Sequence, residues 1–120
     1  MQTITRKKGA FYNEEFQVNL QDYGKSSTDI EDIFFSVKAK LTNPDNALIL
    51  KKLSNAEITF TGTKNLIVTV VFNTNDTDVC VINQIYDAGL FLKFVGDPVA
   101  DENINQTFQF KVTQDFLINN

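Results

Sequence analysis

Short runs in which apolar and polar residues alternate recur along this chain, and they predict β-strands. In the clearest run, residues 30–41, each odd-numbered position from Ile33 to Leu41 is apolar, and the even positions between them are polar except Phe34. Such a strand buries one face and leaves the other open to solvent or to a partner. Phe34 is therefore a candidate for a second contact surface.

Further runs of the same kind follow, separated by turns rich in Asn, Asp, Gly and Pro. They occupy residues 11–20, 47–53, 57–63, 66–72, 85–94 and 107–112, and an apolar segment closes the chain at 116–118. Between Asp76 and Ile82, a short helical turn capped by Asp76 or Thr77 competes with a strand. About eight short strands predict an all-β fold, first an immunoglobulin-like antiparallel β-sandwich and second a jelly roll or small barrel.

A length of 120 residues fits one domain that can bury a core of its own. We expect a single sandwich domain over 1–120, in which residues 1–8 form an N-terminal arm and 116–120 a C-terminal tail. The eleven Phe residues fit a sandwich core as large fillers between two sheets. The N-terminus lacks an apolar signal segment and no run approaches a membrane span, so we predict a protein that is soluble at synthesis, with no membrane partner.

The charge balance argues against a nucleic-acid partner. The net charge is −4 and the pI about 4.7, whereas a nucleic-acid binder needs a basic face. The basic cluster is Arg6-Lys7-Lys8, where a solvated arm is favoured over a phosphate contact.

The residues that usually carry catalysis or bind metals are scarce. The chain has no His, so Cys80 and the serines have no histidine base within the subunit, and Cys80 fits a small buried hydrophobe. Oxygen ligands crowd between Asn73 and Asp78, but the glycine and distal glutamate of a calcium loop are not at the required spacing, which favours a polar turn. We therefore predict no enzymatic activity, no metal and no cofactor.

A series of motifs in fixed order extends from about residue 8 to residue 117. They are Phe16-Gln-Val18, Tyr23-Gly24, Ile33-Phe-Phe35-Ser-Val37-Lys38, Ala47-Leu48-Ile49-x-Lys51-x-Leu53, Ile58-x-Phe60, the run 67–71, Asp76-Thr77, the Tyr-bearing strand 86–94 and Phe108-Gln-Phe110-Lys-Val112-x-x-Asp115-Phe116. In order and spacing they resemble the N-terminal β-sandwich domain of phage baseplate upper proteins. The sequence departs from that family at Asn83-Gln84-Ile85, where the family often has a glycine.

The resemblance implies a virion structural protein that is made in the cytoplasm of the bacterial host and has no enzymatic activity. Its expected place is the tail, baseplate or connector, with head decoration or fibre anchoring as the alternative. We expect its partners to be other virion proteins and further copies of itself. The segments and exposed aromatic residues predicted to contact partners are Arg6, Lys7, Lys8, Tyr12, Tyr23, Phe34, Phe116 and Leu117.

An alternative from another class is a carbohydrate-binding module that contacts the host surface. It would use Tyr12, Tyr23 or Tyr86 as platforms on which sugar rings stack. The absence of Trp from the sequence weakens this alternative.

Overall fold

Eight β-strands, joined by loops and short 3-10 turns, make up the part of the chain that the structure describes. The structure is a computed structural model, and the described residues are 3–9, 12–39, 47–73, 75–96 and 106–113. The strands are β1 (Thr3–Lys7), β2 (Tyr12–Asn19), β3 (Ile30–Lys38), β4 (Ile49–Lys52), β5 (Ile58–Thr61), β6 (Asn65–Phe72), β7 (Ile85–Phe94) and β8 (Gln106–Thr113). Among the described residues, no helix is long and apolar enough to cross a bilayer.

The strands form two separate sheets that pack face to face, which confirms the predicted β-sandwich. One sheet has five strands in the order β1-β8-β7-β3-β4, and the other has three in the order β2-β6-β5. This arrangement follows the seven-stranded immunoglobulin fold, in which the second, fourth and fifth strands face a sheet built around the third, sixth and seventh. Here β4 is an additional strand beside β3, so the corresponding strands are β2, β5 and β6 on one side and β3, β7 and β8 on the other.

The predicted N-terminal arm is wrong for residues 3–7, because they form the edge strand β1. It runs parallel to β8, with Thr3 opposite Gln109 and Lys7 opposite Thr113, so the five-stranded sheet is not wholly antiparallel. Ile4 is 5% exposed and belongs to the core. The sequence pattern did not predict this strand because only two of its five side chains, Ile4 and the charged Arg6, point inward.

A chain of five phenylalanine rings crosses the space between the two sheets. Phe16 and Phe72 come from the three-stranded sheet, and Phe35, Phe108 and Phe110 from the five-stranded sheet. Ring centroids lie 5.5 Å apart for Phe16 and Phe35, 5.0 Å for Phe16 and Phe108, 5.6 Å for Phe35 and Phe72, and 6.1 Å for Phe72 and Phe110. Each contact joins the two sheets, so these rings fill the core without a disulfide or a tryptophan.

Tyr86 secures the start of β7 rather than offering a surface to a sugar. Its side chain is buried, and its hydroxyl accepts a hydrogen bond of 2.8 Å from the backbone N–H of Val81. This is the tyrosine corner of immunoglobulin-like domains, where the second disulfide cysteine follows two residues later. Ala88 holds that position here. The prediction of Tyr86 as a sugar platform is therefore wrong.

The segment after β6 contains a short 3-10 turn, Asp76–Val79, which is earlier in the chain than the predicted turn. Neither Asp76 nor Thr77 caps it. Thr77 is buried, and its hydroxyl accepts a hydrogen bond from the backbone N–H of Gly9, which ties this segment to the β1–β2 connection. Cys80, just beyond the turn, is 6% exposed, as predicted.

Candidate interaction surface

The outer face of the five-stranded sheet carries phenylalanine and lysine side chains, and we call it the aromatic–lysine face. It consists of the outward side chains of β1, β8, β7, β3 and β4. Strand alternation produces it, since Ile33, Phe35 and Val37 of β3 point into the core while Phe34 points out. Phe34 therefore lies on the outer face, and its contact with a partner stays a prediction.

Two phenylalanines lie side by side at the centre of this face. Phe34 on β3 is directly opposite Phe91 on β7, and both are half-buried. The Phe91 ring lies against the backbone of Gly89, because a Cβ atom at Gly89 would stand 2.4 Å from the tip of the ring. Glycine therefore leaves room for the tip of the ring beside the backbone.

Exposed aliphatic side chains extend the apolar centre. Leu50 is 46% exposed. It lies opposite Ser36, which on its other side lies opposite Gly89, so these three residues form one row across β4, β3 and β7. The Phe91 ring rests against Gly89 in that row. Ile85, near the start of β7, is 52% exposed. The Nζ atom of Lys52 lies 5.8 Å from the centroid of the Phe34 ring, within reach of a cation–π contact.

Lysines surround this apolar centre. Among the described residues, the face bears five lysines (Lys7, Lys38, Lys52, Lys93 and Lys111) and three carboxylates (Glu31, Asp32 and Asp87). Glu31 pairs with Lys93 at 3.0 Å, and Asp32 accepts a 2.8 Å hydrogen bond from the Ser54 hydroxyl. The face is thus basic, on a chain whose net charge is −4.

The outer face of the three-stranded sheet has a different character. Amide and hydroxyl side chains dominate it, with Ile67 as its exposed large apolar residue at 43%. An open depression of about 530 Å³ lies along β2 and β6, and the residues that line it are Gln17, Val18, Asn19, Asn65, Leu66 and Ile67. The described residues that line it include no aromatic side chain on which a sugar could stack.

Charged residues inside the sandwich pair with one another and are not part of either outer face. Arg6, predicted as a partner contact, points inward and forms an ion pair with Glu14 of the other sheet. Burial raises the pKa of Glu14, and the charge of Arg6 opposes this shift. The Arg6 side chain thus joins the two sheets and is 35% exposed, so its contact with a partner stays a prediction. Lys7 and Lys8 are exposed.

A second cation, Lys51, points inward from β4 and, unlike Arg6, is buried. Its side chain is 4% exposed, and its Nζ atom lies 2.7 Å from Asp76 and 3.5 Å from Glu57. Asp76, one of the clustered oxygen ligands in the predicted polar turn, thus neutralises a lysine. Among the described residues, no group of three His, Cys, Asp or Glu side chains could hold a metal ion.

Burial also raises the pKa of the Cys80 thiol to about 11, so this thiol stays protonated at neutral pH.

The remaining predicted contact residues are scattered or undescribed. Tyr23 is 48% exposed in a 3-10 turn between β2 and β3, and it is not part of the aromatic–lysine face. Phe116, Leu117 and the side chain of Tyr12 lie outside the described residues.

The sequence interpretation missed Phe91 as a partner of Phe34. The available signal was the set of alternate positions on the other side of β7, in which Ile85, Gly89 and Phe91 lie between the residues assigned to the core.

No protein-family model matches this sequence, and no curated protein matches it.

Proposed function

We propose that this chain is a non-enzymatic structural protein of a phage particle, an assembly piece of the tail, baseplate or connector. The phage assignment rests on the ordered motifs that resemble the baseplate upper protein domain. The observation that carries the assembly role is the aromatic–lysine face, with Phe34 and Phe91 at its centre. Aromatic residues are enriched where proteins meet, and a mixed apolar and charged patch on a rigid sheet favours docking over catalysis.

The burial pattern supports a rigid docking unit. The five interlocked phenylalanine rings and the tyrosine corner at Tyr86 fix the sheet that bears the face. A surface held by such a core changes shape little on binding, so less free energy is spent on ordering it. Each copy then contributes a modest contact, and repetition of that contact in a particle strengthens the assembly.

Head decoration and fibre anchoring use the same kind of surface and differ from the tail assignment in copy number. The carbohydrate-binding alternative is weaker than the sequence suggested, since Tyr86 is buried and no aromatic residue is among the described residues that line the depression on the other sheet.

The experiment that tests the proposal is quantitative mass spectrometry of purified particles from the source phage, with the major capsid protein as internal reference. We expect this chain in the particles at a small fraction of the capsid protein, as a tail or baseplate component requires. A ratio near that of the capsid protein would assign it to the head. Absence from washed particles would contradict the structural role.

A further inference from the structure

We infer that the aromatic–lysine face binds a protein surface that carries carboxylates around an apolar centre. The inference rests on the proposed assembly role and names the chemistry of the partner. It makes this face the one on which assembly depends, and it leaves the amide-rich face of the other sheet free.

The apolar centre supplies the first part of the argument. Lys52, Phe34 and Phe91 form one row across β4, β3 and β7. The Phe91 ring extends over Gly89 into the next row, which also contains exposed Leu50. A partner that covers this strip removes aromatic and aliphatic surface from water, which stabilises the complex by about 25 cal/mol for each Å² buried.

Charge complementarity selects an acidic partner. The five lysines and three carboxylates leave the face with a net charge of +2, while the whole chain carries −4. Lys111 has Ile85 and Thr5 as its ladder partners, so no carboxylate stands opposite it in the sheet. A second copy is disfavoured as the partner, because two copies that met through this face would bring like charges together. A nucleic acid is disfavoured because the acidic remainder of the chain repels it.

The size of the face suits a contact of moderate strength. Five strands about 4.8 Å apart, with about 3.3 Å per residue along each, give roughly 500 Å² in projection. Stable interfaces bury about 800 Å² per partner, so the face accommodates most of a standard interface and favours repeated, individually modest contacts.

The test titrates synthetic probes into the ¹⁵N-labelled full chain and follows amide shifts by NMR. The main probe is a 12-residue peptide with four leucines among eight glutamates. Three comparisons separate the possible occupants: oligoglutamate of equal length tests charge alone, a 12-nucleotide oligothymidylate tests nucleic acid, and sedimentation of the chain alone tests self-association.

Two matched pairs of variants locate the contact. Lys111→Glu and Lys64→Glu make the same charge change, but Lys64 lies in the β5–β6 hairpin, off the face. Leu50→Gln and Ile67→Gln make the same apolar-to-polar change, without a change of charge, at sites 46% and 43% exposed on opposite sheets. We expect Lys111→Glu to weaken peptide binding about two- to fivefold, and Leu50→Gln about fivefold, while both controls bind as the wild type does.

Shifts confined to the strands of the five-stranded sheet, with losses only in the two face variants and weaker binding of oligoglutamate, would support the inference. It is overturned if the peptide does not bind, if Lys64→Glu weakens binding as much as Lys111→Glu, or if oligothymidylate binds the same residues more tightly. A dimer that Leu50→Gln disperses, without peptide binding, would overturn it in favour of a second copy. Mass spectrometry of particles decides the assembly role separately, so the two failures are distinguishable.

Discussion

The two outer faces of this sandwich are built on the same strand alternation, yet they differ in chemistry. The five-stranded sheet presents Phe34, Phe91 and Leu50 among lysines, whereas the three-stranded sheet presents amides and hydroxyls around Ile67. Neither set is needed to fill the core, because the inward side chains of both sheets already do so. The contrast therefore teaches that the aromatic side chains on one face need an explanation beyond folding, and we propose a protein partner as that explanation.

The largest expected difference between an inward and an outward side chain is at two neighbouring phenylalanines that point in opposite directions. Phe35→Ala removes a fully buried ring from the interlocked chain, and we expect it to lower the free energy of unfolding by about 3–5 kcal/mol. Phe34→Ala removes a half-buried ring from the outer face, where we expect a loss of about 1 kcal/mol. Urea denaturation of both variants measures the difference. Equal losses would show that the outer ring is part of the core.

The tyrosine corner tests whether the sheet below the aromatic–lysine face depends on one buried hydroxyl. Tyr86→Phe keeps the ring and leaves the N–H of Val81 without its acceptor, and we expect a loss of about 1–2 kcal/mol. Tyr23→Phe is the matched control, since its side chain is 48% exposed. Thermal unfolding of both variants checks the prediction, and a control loss as large as that of Tyr86→Phe would contradict it.

Gly89 tests the geometry of the face itself. Gly89→Ala places a methyl group where the Phe91 ring lies, so we expect the ring to swing off the sheet at a cost of about 1 kcal/mol. In a Phe91→Ala background the same substitution should cost less, because the clash is gone. A double-mutant cycle by chemical denaturation measures this coupling, and additive effects would mean that the ring does not rest on Gly89.

The ion pair between the sheets gives the smallest expected effect. Burial raises the pKa of Glu14, so its protonated form is favoured in the folded protein, and the stability linked to it is present at low pH and lost as the pH rises through the folded pKa. Glu14→Gln cannot titrate. The wild type should therefore gain stability relative to this variant when the pH is lowered from 7 to 4.

Melting temperatures of both proteins at pH 4 and pH 7 measure this change, with the exposed neighbour variant Glu15→Gln as control. A gain of the wild type over Glu14→Gln on going to higher pH would contradict the account.

The sequence predicted the sandwich because β3 and β6 have regular alternation that only half-buried strands need. It did not reveal β1, where just Ile4 and Arg6 point inward, or the tyrosine corner, since the bond from Val81 to Tyr86 depends on how the loop folds. Phe34 was predicted as an outer residue. Its pairing with Phe91 required the register between β3 and β7, which alternation within one strand does not contain.

The most direct measurement of the central claim is incorporation of Leu50→Gln and Ile67→Gln into phage particles. The two sites are almost equally exposed, so the variants should be equally stable in solution. Quantitative mass spectrometry of purified particles should show Leu50→Gln depleted about fivefold and Ile67→Gln at the wild-type level. Equal incorporation of the two variants, or depletion of Ile67→Gln alone, would contradict the assignment of the aromatic–lysine face as the assembly surface.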